Sequence, residues 1–132
     1  MEPNHTPSLE EFQQQVSELL LRHRSLLDVM SKFGQSNTAV NRAVTKAVTD
    51  CGCIEINARK QSYSDDLDEA KATMQSHLSG DLCEHCQDIL KTELGRNLFY
   101  TTALCNLLDI QLTEVVANES KKCSTLGVFN LT

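Results

Sequence analysis

The chain of 132 residues carries 12 Lys and Arg against 18 Asp and Glu, a formal net charge of -6, and 40% hydrophobic residues. That is enough apolar material for one modest core and hence one domain, while basic residues that never cluster beyond a pair exclude a protein that grips a nucleic-acid backbone. No window approaches the ~18 apolar residues of a membrane span, which excludes a membrane partner, and "MEPNHTPSLEEF" has neither the positive start nor the apolar stretch of an export signal. The expectation is a cytoplasmic chain whose six cysteines are reduced or bound to metal.

Helix signals dominate from the N-terminus onward. Ser8 followed by Glu11 forms a capping box, and Leu9, Phe12, Val16, Leu19, His23, Leu26, Met30 and Phe33 recur at helical spacing up to Gly34. After "GQSN", with Ser36 or Asn37 as cap, Val40, Val44, Ala47, Val48, Cys51, Ile54 and Ala58 predict a second helix carrying "TDCGCIEINARK". The acidic stretch 61–80 is thin in apolar residues and reads as an outer helix or insertion ending at Gly80. Asp81 with Glu84 imitates a capping box for the most apolar helix, which "DIQL" breaks; Thr113 caps a short last helix before the apolar tail 124–132. No run alternates with period two. The expectation is an all-α antiparallel bundle of four main helices in a single domain, with any site between facing helices.

Two cysteine pairs stand out. "CGC" (Cys51, Cys53) and "CEHC" (Cys83, Cys86) together supply the four thiolates of a structural zinc site. On a continuous second helix, residues two apart lie about 200° apart around the axis, so Cys51 and Cys53 share an ion only if the helix breaks at Gly52. Without that break Cys51 is a small, buried, slowly reacting core residue. "CEHC" at a helix start also has the form of a redox motif, although the preceding strand such a motif needs is not visible. His5, His23, His77 and His85 have no partners at ligand spacing and read as surface or helix-face residues.

A third constellation lies in "KTELGRNLFYTTALCNLLDIQL". Glu93, Arg96, Asn97 and Tyr100 form one stripe at helical spacing, with Cys86 on the same line, and Asp50, Cys53 and Asn57 form a similar stripe on the second helix. Two polar seams on core-forming helices are most economically placed face to face. Such a seam is either an ion pair of Glu93, Arg96 and Asp50 that fixes register or the residue of a catalytic site.

The same stretch, "ELGRNLFYTTALCNLLDIQLTEVVANESKK", resembles the later half of MazG-like proteins of the all-α nucleoside triphosphate pyrophosphohydrolase superfamily. The likeness covers most of the chain from the second helix onward. The resemblance implies carboxylates on two facing helices that hold Mg²⁺ against a triphosphate. Position by position, Thr49, Asp50 and Cys53 stand where the family has three glutamates; Glu93, Leu94 and Gly95 match its second block, and Arg96 replaces an aspartate. The implied site is Asp50 and Glu93 for Mg²⁺ and catalysis, with Arg96, Asn97 and Asn57 toward a bound nucleotide. The alternative is a non-catalytic helical oligomerisation or regulatory module with zinc on Cys53, Cys83 and Cys86. Pairing of family members across subunits, and the apolar Leu126, Val128, Phe129 and Leu131, imply a homo-oligomer.

Overall fold

The computed structural model describes residues 5–20, 25–63 and 65–126. His23 and the apolar tail beyond Leu126 lie outside the described residues. The elements are helix α1 (Leu9–Leu19), helix α2 (Leu26–Lys46), a π-helical turn (Ala47–Cys51), strand β1 (Ile54–Ile56), helix α3 (Leu67–Thr73), strand β2 (Leu78–Gly80), helix α4 (Glu84–Leu107) and helix α5 (Leu112–Leu126). Helices predominate. The expected all-helical chain also contains one antiparallel two-stranded sheet, with Ile54 opposite Gly80 and Ile56 opposite Leu78. Strands of three residues are too short to show an alternation.

Residues group into two compact units, Met1–Asn37 with Gly95–Thr132, and Thr38–Leu94. In the first, the Ser8 capping box forms as its sequence dictates: the Ser8 hydroxyl accepts from the Glu11 N–H, and the Glu11 carboxylate accepts from the Ser8 N–H. The core holds Val16, Leu20, Val29 and Ala103, flanked by Phe12, Phe99, Tyr100, Leu104 and Leu107. Phe99 and Tyr100 meet edge to face, their ring centroids 5.3 Å apart.

In the first unit, three helix boundaries differ from the sequence expectation. The first helix does not run on to Gly34; α1 stops at Leu19, and α2 runs straight through Gly34 to Lys46. Glycine inside a helix costs only about 1 kcal/mol, and here tertiary bonds oppose that cost. Ser36 does not cap a helix. It is buried, its hydroxyl donating to the Phe33 carbonyl at 2.9 Å and accepting from the Asn97 amide at 2.9 Å. Asn97 also donates to the Asn37 side chain. The third difference is at the C-terminus, where α5 begins at Leu112, so Thr113 lies inside it.

The break at "DIQL" forms as expected and has a specific lock. Asp109 adopts the left-handed conformation (φ 56), Ile110 N–H donates to Cys105 O at 2.8 Å, and Asp109 N–H to Asn106 O at 3.4 Å, the pairing of a Schellman stop. Gln13 of α1 then fills both free bonding positions of the turn: its amide nitrogen donates to Ile110 O at 2.8 Å and its oxygen accepts from Leu112 N at 2.9 Å. Asn106 returns a bond to Gln13 O at 3.1 Å. Gln13→Ala removes two of these bonds and is expected to cost about 1–2 kcal/mol in urea unfolding, with faster amide exchange at Leu112. Unchanged exchange there would show that the turn does not depend on α1.

Candidate metal centre

The second unit, Thr38–Leu94, is where the sequence expectation and the structure part most informatively. The predicted second helix does not carry "CGCIEI". After Lys46 the backbone widens into a π-helical turn and stops at Gly52, which takes the left-handed conformation (φ 78, ψ 11) and donates its N–H to Ala47 O at 2.9 Å. Glycine suits that stop because it has no Cβ to clash at positive φ. The chain therefore turns between Cys51 and Cys53, and the angular objection to a shared ion disappears.

The other pair sits at the start of α4, where Cys83, not Asp81, is the cap. Its carbonyl accepts from Gln87 N at 2.9 Å and its sulfur accepts from the Cys86 N–H at 3.4 Å, the role an N-cap hydroxyl usually plays. Cys86, one turn into the helix, points the same way and is buried.

The hairpin brings the two pairs together. β1 follows directly on Cys53 and β2 ends just before Leu82 and Cys83, so the Ile54–Gly80 register sets the two turns side by side. Gly80, at φ 85, is obligatory: a Cβ there would stand 2.6 Å from the Cys53 carbonyl oxygen. Ala47, Ile54 and Cys86 are buried beneath, with Val48, Cys53, Leu82 and Cys83 packed around them.

The result is a cluster in which the sulfurs of Cys51, Cys53, Cys83 and Cys86 all lie within 4.8 Å of one another, Cys51 and Cys83 at 3.8 Å. A tetrahedron of Zn–S bonds of ~2.3 Å has sulfur–sulfur edges of ~3.8 Å. The four thiols are thus already close to the arrangement a tetrahedral soft-ligand ion takes. Among the described residues, no other group of three or more His, Cys, Asp or Glu side chains is placed to share an ion. Cys51 is exposed, contrary to its reading as a buried core residue; Cys53 and Cys83 are half-buried. Cys105, inside α4, and Cys123, on α5, are not members of the cluster.

The remaining candidates fall elsewhere. The stripe of Asp50, Cys53 and Asn57 dissolves with the helix that was to carry it. Asp50 lies exposed on the π-helical turn, in a depression of about 260 Å³ beside Cys51, with Lys46 and His85. Asn57 leaves β1 and donates to Ser79 at 3.5 Å. Glu93 borders a different depression, with Asp88 and His85. Arg96 is exposed, and Asn97 is engaged with Ser36 and Asn37. Asp50 and Arg96, which the sequence placed in a buried seam, are both exposed. The acidic segment contributes α3, capped by Asp66 accepting from Asp68 N at 3.0 Å.

Electrostatics within the cluster are uneven. The Cys86 N–H on its sulfur holds the Cys83 thiol down at about 7, whereas the bond to Cys83, with burial, pushes the Cys86 thiol up to about 12. In the metal-free protein Cys86 therefore keeps its proton throughout the neutral range and must release it to bind an ion, and below pH 7 Cys83 must do so too. Proton release on binding means affinity rises with pH. We expect zinc affinity to climb at least about tenfold per unit between pH 6 and 8 in a competition titration with a chromogenic chelator. A flat profile would mean that these thiols are not the ligands.

Comparison with known protein families, with curated proteins and with solved structures found no match, so the chemistry of this chain is to be read from its own residues.

Proposed function

We propose that this protein is a zinc-binding, non-catalytic helical module in which Cys51, Cys53, Cys83 and Cys86 hold one Zn²⁺ in a closed four-thiolate site. The carrying observation is the convergence of four sulfurs within 4.8 Å from two short turns far apart in sequence. Four soft anionic ligands in a tetrahedral set leave no position open for a reacting water, which is the signature of a structural centre.

The energetics support the same reading. A hairpin of two three-residue strands is at best marginal in water, and the fully sequestered core beneath it is only Ala47, Ile54 and Cys86. Structural zinc contributes roughly 10–16 kcal/mol to the folding of small domains, against about 1.5–3 kcal/mol for burying one side chain such as Ile54. Zinc is therefore the dominant tie between the π-helical turn, the hairpin and the start of α4.

The likeness to MazG-like proteins fits this proposal as ancestry. Cys53 stands where that family carries a glutamate, so a position associated with a hard oxygen ligand for Mg²⁺ now supplies sulfur to a softer ion. Hydrolysis of a nucleoside triphosphate is not part of the proposal, and neither is a nucleotide partner.

Protein purified without chelator should contain one zinc per chain by plasma mass spectrometry. Its removal should lower the melting temperature and release the amides of Ile54–Ile56 and Leu78–Gly80 to exchange, while added Mg²⁺ changes neither. Stoichiometric iron in place of zinc, or Mg²⁺-dependent release of pyrophosphate from a nucleoside triphosphate, would contradict the proposal.

A further inference from the structure

The four ligands of the centre are not equivalent toward solvent. Cys86 is buried and Cys53 and Cys83 are half-buried, but Cys51 is exposed, at the end of a π-helical turn that closes on the left-handed Gly52. It also faces the open depression shared with Lys46, Asp50 and His85. Of the four ligand residues, Cys51 is therefore the one most open to a reagent in solution. The Cys51 sulfur lies 3.8 Å from the Cys83 sulfur.

Resting on the zinc reading above, we propose that Cys51 is an oxidation site through which a hydroperoxide opens the centre, joining Cys51 to Cys83 and expelling the zinc. The Cys51 thiolate attacks the terminal oxygen of the hydroperoxide. The O–O bond breaks, its electron pair leaves on the alkoxide (hydroxide when the reagent is hydrogen peroxide), and that anion takes a proton from water. Cys51 is now a sulfenic acid. The Cys83 thiolate then attacks the Cys51 sulfur, the S–O bond breaks, and the departing hydroxide takes a second proton. Two electrons have passed from the two sulfurs to the peroxide, and a disulfide has formed.

Two features make Cys83 the resolving residue. It lies 3.8 Å from Cys51, and at the cap of α4 it is only half-buried where Cys86 is buried. Zinc left with only Cys53 and Cys86 has lost half its ligands and departs. Ile54 and Leu82, each next in sequence to a ligand, line an apolar depression of about 630 Å³ with Val44, Leu78, Leu90 and Leu94. Opening the centre loosens two of its walls, so the oxidation state of the Cys51 and Cys83 sulfurs is coupled to an apolar surface.

The test uses the full zinc-loaded chain, hydrogen peroxide, a chromogenic zinc chelator in solution and peptide mapping without reduction. Cys123, exposed on α5 and outside the cluster, is an internal standard for a plain thiol. The expected result is one zinc released per Cys51–Cys83 disulfide formed, reversed by dithiothreitol with added zinc. Dimedone added with the peroxide should be trapped on Cys51 as the sulfenic acid forms and should prevent its linkage to Cys83. Zinc retained after Cys123 is fully oxidised, a disulfide between any other pair, or dimedone trapped first on another cysteine of the cluster would each overturn the switch and leave the zinc centre standing. A chain that neither carries nor takes up zinc before peroxide is added overturns the zinc reading and the switch together.

Discussion

Four sulfurs within 4.8 Å of one another impose the constraint on which the second unit depends. Ionised together they would repel one another at these separations. Protonated, they form only weak sulfur hydrogen bonds and tie nothing firmly together. A dication resolves the conflict, because it favours the thiolate form of every ligand and converts four repulsive neighbours into four bonds. The split in the metal-free thiols, Cys83 held down and Cys86 pushed up, is what such a cluster does when it must share charge without an ion.

The first unit is tied by different means. Its apolar core is narrow, and its register is set by side-chain amides that reach across helices: Gln13 onto the turn between α4 and α5, and Asn97 onto Ser36 and Asn37. A misplaced amide forfeits these directional bonds, so they favour one alignment where apolar contacts alone would tolerate several. One unit is thus specified by amide bonds and the other by a convergence of four sulfurs fit for a metal, and each holds segments that are distant in sequence.

Much of this was legible in the residues, and the failures have physical causes. The Ser8 capping box, the break at "DIQL" and the helical character of the chain followed from local rules. Gly34 misled, because an isolated glycine costs too little to stop a helix that Ser36 and Asn97 hold in place. Gly52, by contrast, does stop one. Nothing local separates the two glycines. What distinguishes Gly52 is the pair of cysteines flanking it, a spacing that makes sense only if the chain turns there. The strands were invisible because three residues cannot display a period. Cys51 was the hardest ligand to place, since its helical spacing matched the core pattern of Val44, Ala47 and Val48, yet the π-helical turn rotates it outward.

The claim that a four-thiolate metal centre organises residues Thr38–Leu94 is tested most directly by X-ray absorption at the zinc edge on the purified chain. The account predicts a first shell of four sulfur atoms at about 2.3 Å with no nitrogen or oxygen ligand. A shell containing oxygen, or one that keeps all its sulfurs when Cys53 and Cys86 are both replaced by serine, would contradict it.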